Sequence, residues 1–490
     1  MSELIMAIDT GSSSCRAVLV DLDGRVVADG RGSVHWKYPR PGWVEMDPIE
    51  LWQATRRAIR QALSQVDPAN IIGVGITSHR ETVVMWDART GEPVHDAVVW
   101  ISQQTDDIVH RWDEQNLGPV FTERTGLRND SFFSAAKVVW LLENVPGLRG
   151  RANRGEIALG TVDSWILWNL TGGTAHATDH SCASRTALFN LNTLHWDEEL
   201  CARLDIPLSI FPTARPSDSV FGRVASDIIA HCPPIRAVVA DQQAGMFGQA
   251  CIEEGSAKNT FGTAAVLTFN TGTAPVLIPG LTASVGWTVQ GDTTFEAEGV
   301  VFHSGQTLSW LKESLGISAG SASFDEIAQS VDDTGGVYIV PAFGGVCSPH
   351  WNRKVRTAIS GISLETNHSH VIRAAVEAMV YQTVDILRIP DLGGLAVSSL
   401  KVDGGGAHSD WLCQFLADIG NVEVVRPREL ERTALGCAYI AGIALGTWKD
   451  HADAASTWSV ERTFEPQMEA DRRESLYAGW QRALNQVVRS

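Results

Sequence analysis

Four short stretches of this 490-residue chain combine residue types that suit chemistry. "MAIDTGSSSCRAVLVD" (6–21) carries an apolar strand onto an acid, Asp9, followed by Thr10, Gly11, Ser12 and Ser13, with Arg16 just beyond. "AKNTFGTAAVLTFNTG" (257–272) repeats the design around Gly262 and Thr263. Such turns converge N–H and O–H donors on one point without bulk, as a phosphate requires. Arg16 adds a charge-assisted donor. A carboxylate beside those donors suits a divalent cation between them, so Asp9 would hold Mg²⁺ directly or through water. Read alone, the first stretch fits an ordinary hairpin equally well, with Asp9 as a turn cap.

"AVVADQQAG" (237–245) ends another apolar run on Asp241, followed by Gln242. A carboxylate there can take a proton from a hydroxyl while Gln242 grips a neighbouring one, although read alone Asp241 also fits a solvated helix cap. In "HRETVVMWD" (79–87), Arg80 beside Glu81 offers a donor and an acceptor to vicinal hydroxyls, although in isolation such a pair is more often a surface ion pair. Trp100 ends the strand-like "AVVW" and can cover a carbon chain; a lone tryptophan is otherwise core. In "LKVDGGGAHSDWLCQFLADIG" (400–420) a short strand enters a glycine turn. Gly405 and Gly406 let a ligand approach the backbone, and Ser409 is placed to cap a helix whose Trp411, Leu412, Phe415, Leu416 and Ile419 share one face.

The elements that must position these residues alternate. Apolar spacing predicts a helix over 48–66, and "IIGVGIT" (71–77) and "IRAVVAD" (235–241) read as strands, which implies layered α/β domains. The length favours two or more domains. Gly11 and Gly262 lie about half a chain apart, which suggests two related domains facing a shared cleft, with a boundary near 250. A P-loop and a Rossmann glycine fingerprint are both absent.

Composition excludes several classes. A net charge of −18, from 39 basic and 57 acidic residues, argues against a nucleic-acid or anionic-membrane surface. No apolar run is long enough to span a bilayer, and the N-terminus lacks the pattern of a secretion signal. The eight cysteines are scattered, with no CxxC, which favours reduced thiols and a cytoplasmic protein.

On these residues the chain resembles the FGGY family of carbohydrate kinases, and within it the glycerol kinases. The first turn matches the family's first phosphate hairpin, "NTFGTAA" its second and "DGGGAHSDW" its adenosine loop. Between them run "YPRPGWVEMDP", "GITSHRETVVMWD", "GTVDSWILWNLTGG", "HATDHSCASRTALFN", "ADQQAG", "FGGVCSPHW" and "TALGCAYIAG", in order along nearly the whole chain. The resemblance implies two actin-like, ribonuclease H-like ATPase domains with an interdomain cleft. Residues 1–248 would hold the small polyol or sugar and the catalytic base, and 249–490 would hold ATP. It implies Asp241 as the base, with Arg80, Glu81, Trp100, Phe132, Asp241 and Gln242 on the substrate. Thr10, Gly11, Ser12, Ser13, Arg16, Gly262, Thr263, Gly305, Gly405, Gly406 and Ser409 would serve ATP, and Asp9 and Asp241 Mg²⁺. A homo-oligomer, dimer or tetramer, is implied by analogy.

The chain departs from the glycerol kinases inside this pocket. Phe132 stands where they usually have tyrosine, Val266 where they carry an aromatic residue, and Gln103 and Gln104 where an Arg-Arg pair is usual. One neutral hydrogen bond lost with the tyrosine hydroxyl is worth roughly 0.5–1.5 kcal/mol. The stretch 216–240 lacks the glycine- and lysine-rich loop that binds a sugar bisphosphate in some relatives. The expected reaction is ATP-dependent phosphorylation of a primary hydroxyl of a small polyol, with glycerol to glycerol 3-phosphate the leading case. A four-carbon polyol (erythritol or threitol) or a ketose such as xylulose is the alternative within the class. A non-catalytic actin-like ATPase is the alternative outside it.

Overall fold

The computed structural model describes residues 3–317 and 323–489. Two central sheets dominate it. The first contains β1 (Leu4–Thr10), β2 (Ser14–Asp21), β3 (Val26–Ser33), β4 (Ile71–Ser78), β5 (Gly222–Arg223) and β6 (Pro234–Ala240), in the order β5-β6-β4-β1-β2-β3. β1, β2 and β3 pair antiparallel, while β4 lies parallel to both β1 and β6. The second contains β7 (Ala257–Phe261), β8 (Ala265–Gly272), β9 (Thr282–Val289), β10 (Asp292–Val301), β11 (Ser399–Asp403), β12 (Glu423–Pro427) and β13 (Val460–Phe464), in the order β9-β10-β8-β7-β11-β12-β13. Its inner run β10-β8-β7-β11-β12 reproduces β3-β2-β1-β4-β6 of the first, strand directions included. This is the duplicated actin-like fold, and Gly11 and Gly262 sit at matching hairpin tips.

The first sheet reads as continuous apolar runs because it is covered on both faces. Met6, Ile8, Ala17 and Leu19 point to one side, where α1 (Pro48–Leu63) packs through Leu51, Ala54, Ala58 and Ile59. The α1 start is set by Asp47, whose carboxylate accepts from the amides of Ile49 and Glu50, with Pro48 in the first turn. Ile5, Ala7, Val18 and Val20 point to the other side.

That second face is covered only in part by its own half, through Ala244, Met246 and Phe247 of the helix that follows β6. α2 (Ser134–Asn144) and α3 (His180–Ser184) belong to the insertion between β4 and β6; α4 (Asp241–Gly248) follows β6 directly. In the second half, α5 (Gly305–Ser314), α6 (His368–Leu387), α7 (Asp410–Gly420), α8 (Arg432–Leu445) and α9 (Ala470–Val488) complete the layers. α8 follows β12 as α4 follows β6, and it is α8 that completes the cover of the first sheet, through Ala434, Leu435, Ala438 and Ala441. α4 and α8 cross backbone to backbone. A Cβ on Gly436 would lie 1.8 Å from the Ala244 carbonyl oxygen, and one on Gly248 would lie 2.1 Å from that of Arg432. Only glycine permits this approach. The C-terminal α9 packs on its own half, with Trp480 stacked on Tyr381 of α6 at 5.5 Å.

Candidate active site

The two hairpin tips face each other across a cleft of about 560 Å³, lined from the first half by Ser12, Ser13, Arg80, Glu81, Trp100, Phe132, Asp241 and Gln242. Thr260, Gly262, Thr263, Val266 and Val300 line it from the second. All the residues read from the sequence as polyol contacts therefore meet in one cavity.

Each is placed by a strand end. Asp241 is the first residue of α4, directly after β6, and its Oδ1 accepts from the Gln242 amide at 2.7 Å. Arg80 and Glu81 follow β4; Glu81 adopts a left-handed backbone (φ 62°), and its carbonyl accepts from the Ser134 hydroxyl at the start of α2. The Arg80 Nε lies 3.4 Å from Asp241 Oδ1. Burial opposes the Arg80 charge, but Glu298, Glu81 and Asp241 outweigh it and raise its pKa further. Burial also raises Glu81, against the pull of Arg80 and Arg185. The Gln242 side-chain oxygen accepts from Lys258 Nζ at 2.7 Å, and the same ammonium donates to the Thr260 hydroxyl at 2.6 Å. That leaves the Gln242 amide NH₂ to donate to a hydroxyl.

The apolar wall is aromatic and tied to the first hairpin. Trp100 Nε1 donates to the Ser12 hydroxyl at 3.0 Å, and Trp36 Nε1 to the Ser12 carbonyl at 2.8 Å. Phe132 meets Trp100 edge to face at 5.7 Å, with Phe302 behind it at 5.6 Å. Lys137 of α2 anchors this loop by donating to the carbonyls of Ser131, Phe132 and Phe133 at 2.6–3.0 Å. Val266, Val300 and the aromatic rings leave the carbon side of the cleft fully apolar.

At the phosphate end, Gly11 closes its hairpin by donating to the Ser14 carbonyl, and Gly262 does so to that of Ala264, both at 3.0 Å. Asp9 and Arg16 are register partners on β1 and β2. The Asp9 carboxylate makes no hydrogen bond or ion pair among the described residues, and burial together with the Asp241 charge pushes it up to about 7. A buried carboxylate raised by a second carboxylate fits a divalent cation, which would relieve both. Among the described residues no three His, Cys, Asp or Glu side chains converge as a protein-only cage. Mg²⁺, which takes one or two carboxylates with phosphate and water, needs none.

Other sequence-predicted ATP residues are engaged within the protein. Arg16 pairs with Glu431, just before α8. Thr10 is buried, its carbonyl accepting from both the backbone and Nδ1 of His79 at 2.9 Å. The Gly305 amide donates to the Gly262 carbonyl at 3.1 Å, which seats the N-terminus of α5 on the second hairpin. Gly405 and Gly406 form the turn between β11 and α7, beside Phe261 at the end of β7. The Ser409 hydroxyl caps α7 by accepting from Leu412 at 2.9 Å and pairs with Asp325. None of these three lines the cavity, and of them Gly406 lies against Phe261 at the base of the second hairpin.

Sequence reasoning missed the residues that hold the site: Trp36, Lys258, Arg185, Glu296 and Glu298. The acids carried a signal. Glu296 and Glu298 sit two apart among Phe295, Ala297, Val300 and Val301 in the buried part of a strand, so both project to one buried face that must supply cations.

Comparison with known proteins bears on the chain as a whole. The family description "FGGY family of carbohydrate kinases, N-terminal domain" matches residues 4–248, and its C-terminal counterpart matches 257–445. The chain is 44% identical to a glycerol kinase of Stenotrophomonas maltophilia over 485 residues, covering 98% of this chain and 97% of that protein. It is 43% identical to one of Symbiobacterium thermophilum, over 99% and 98% respectively. The crystal structure of Plasmodium falciparum glycerol kinase with ADP superposes with a TM-score of 0.90 at 29% identity, covering 99% of this chain and 98% of that one. A ligand-bound xylulose kinase from Lactobacillus acidophilus shares the fold at a TM-score of 0.88 and 20% identity, over 100% and 99%. Both halves are matched in order and almost end to end, and the chain belongs to the FGGY family of carbohydrate kinases.

Proposed function

We propose that this chain transfers the γ-phosphoryl group of ATP to a primary hydroxyl of glycerol, giving glycerol 3-phosphate and ADP. The observation that carries the reading is the cleft itself. A strand-end carboxylate, Asp241, stands beside the Arg80–Glu81 pair, with the phosphate-type hairpins of both halves opening into the same space. The relatives named glycerol kinase, at 42–44% identity over nearly the whole chain, support the choice of acceptor.

In this reading Arg80, Glu81 and the Gln242 amide orient the polyol hydroxyls, and Trp100 and Phe132 cover its carbons. Asp241 accepts the proton of the attacking hydroxyl. The attacking oxygen forms its bond to the γ-phosphorus as the bond to the β–γ bridging oxygen breaks, and ADP leaves. Ser12, Ser13, Gly262 and Thr263 hold the phosphates, with Asp9 and Asp241 as the carboxylates for Mg²⁺. When bound, Mg²⁺ supplies charge neutralisation on the phosphates. The hairpins stand on opposite halves, so drawing the halves together excludes water from the transfer.

The aliphatic floor at Val266 and Val300 favours a second reading, a longer acceptor such as a four-carbon polyol or a ketose. ADP release with Mg·ATP across glycerol, erythritol, threitol, xylitol, dihydroxyacetone and xylulose separates the two. The highest kcat/KM on glycerol, abolished in Asp241→Asn, is expected. A longer acceptor ranking first would give the second reading, and acceptor-independent ATPase that persists in Asp241→Asn would refute both. We place the protein in the cytoplasm: all eight cysteines are free thiols, all but Cys232 buried, and no helix among the described residues is long and apolar enough to cross a membrane.

A further inference from the structure

Arg80 and Glu81 are not held by their own half alone. Four buried side chains of alternating charge close into a ring around them. Glu81 Oε1 accepts from Arg185 Nε at 2.7 Å, and Arg185 Nη2 donates to Glu298 Oε1 at 2.7 Å. Glu298 Oε2 lies 2.6 Å from Arg80 Nη1, and Arg80 Nε returns to within 3.7 Å of Glu81 Oε1. No member is more than 6% exposed. Three members come from the first half. Glu298 comes from β10 of the second, and like Glu81 it meets both arginines, one through each carboxylate oxygen.

Two consequences follow from elementary electrostatics. First, a guanidinium tied to Glu298 at Nη1 is fixed in orientation, with its Nε held 3.4 Å from Asp241 Oδ1, so Arg80 stays directed toward a polyol beside the proposed base. No hydrogen bond to Arg80 Nη2 is formed by the described residues, which leaves that donor for a hydroxyl. Second, the ring is neutral. Each arginine is already matched by a carboxylate, so an acceptor bringing its own carboxylate finds no unpaired cation to compensate its desolvation.

We propose that Glu298, acting with Arg185, is a positioning and specificity residue. It reaches across the cleft to orient Arg80 and Glu81, and it keeps their site neutral so that uncharged polyols are taken and sugar acids refused. This rests on the polyol kinase reading of the cleft and deepens it. The polyol site is complete only with the second half in place.

The test is the isosteric Glu298→Gln, assayed with Mg·ATP on glycerol and on glycerate, which adds a carboxylate to the same carbon frame. A hydrogen bond to a charged group lost at this position predicts a rise of roughly 10- to 100-fold in the glycerol KM. The ATP KM stays within about twofold of wild type and kcat within about threefold. Preference for glycerol over glycerate falls at least about tenfold, because Arg80 gains an uncompensated charge. Unchanged glycerol KM and unchanged preference would overturn the proposal. So would a parallel collapse of kcat, ATP KM and melting temperature, which marks a purely structural tie. Arg185→Lys provides a second variant if Glu298→Gln does not fold. It keeps the charge but cannot bridge two carboxylates, so the glycerol KM should rise while the preference is retained; an unchanged KM there also refutes the idea. Failure of the kinase reading itself is distinct: wild-type protein would then release no acceptor-dependent ADP, and the proposal would fall with it.

Discussion

Replacing Gly436 by alanine probes how the two halves are joined. The new Cβ would lie 1.8 Å from the Ala244 carbonyl oxygen and 2.7 Å from the Gly248 amide nitrogen, both backbone atoms that cannot rotate away. Ordinary contact begins near 3.4 Å, so α4 and α8 must separate by about 1.6 Å at the crossing. Overpacking of this kind costs on the order of 1–3 kcal/mol, and more where backbone resists. The catalytic consequence is larger than the stability one. α4 begins with Asp241, three residues before the contact, so pushing α4 away displaces the proposed base from Arg80 and from both phosphate hairpins. A misplacement near 1 Å can cost about 100-fold. We expect Gly436→Ala to melt several degrees lower and to lose on the order of 10- to 100-fold in kcat, with a smaller change in the ATP KM. Differential scanning fluorimetry and the coupled ADP assay read both. A folded variant with kcat within twofold of wild type would refute the reasoning, since it would show that the crossing does not position Asp241.

Asp241→Asn should lower kcat by roughly 10²–10⁴ with the fold intact, the range of a positioned general base; a loss under about tenfold would remove it from that role. Phe132→Tyr places a hydroxyl on the cleft wall, and one neutral hydrogen bond of roughly 0.5–1.5 kcal/mol predicts a fall of about 2- to 13-fold in the glycerol KM; no change means the hydroxyl finds no partner there. Glu296 gives a pH prediction. Burial and the neighbouring Glu298 push it up to about 7 from 4.5, while Arg80 and Arg185 pull the other way and Ser284 and Gln243 donate to it. The folded state therefore holds a proton that the unfolded chain releases near pH 4.5. Its contribution is most favourable below 4.5 and is lost as pH rises through 7, an effect bounded at about 3 kcal/mol. Glu296→Gln removes this dependence, so its melting temperature should gain on wild type between pH 5 and pH 8; parallel curves would show that Glu296 does not titrate there.

Local pattern alone identified the strands that carry Asp9 and lead into Asp241, the paired hairpins at Gly11 and Gly262, and the Ser409 cap. Each of these is written in adjacent residues: apolar runs make strands, and glycine with hydroxyls makes tight polar turns. The half-chain spacing of the hairpins likewise announced two related domains. Tertiary structure decided what surrounds those residues. Nothing in its own periodicity says that α8, from the second half, covers the first sheet; an apolar helix face does not specify which sheet it meets. Nor does local spacing reveal that Arg16 pairs with Glu431, or that Gln242 is held by Lys258. The ring around Arg80 is the clearest case. Arg185 and Glu298 are 113 residues apart in sequence, and their pairing exists only because two sheets bring one buried face to one short helix end. Buried charge must find a partner wherever the fold supplies one, and that choice is made by distance in space, which the order of residues along the chain does not contain.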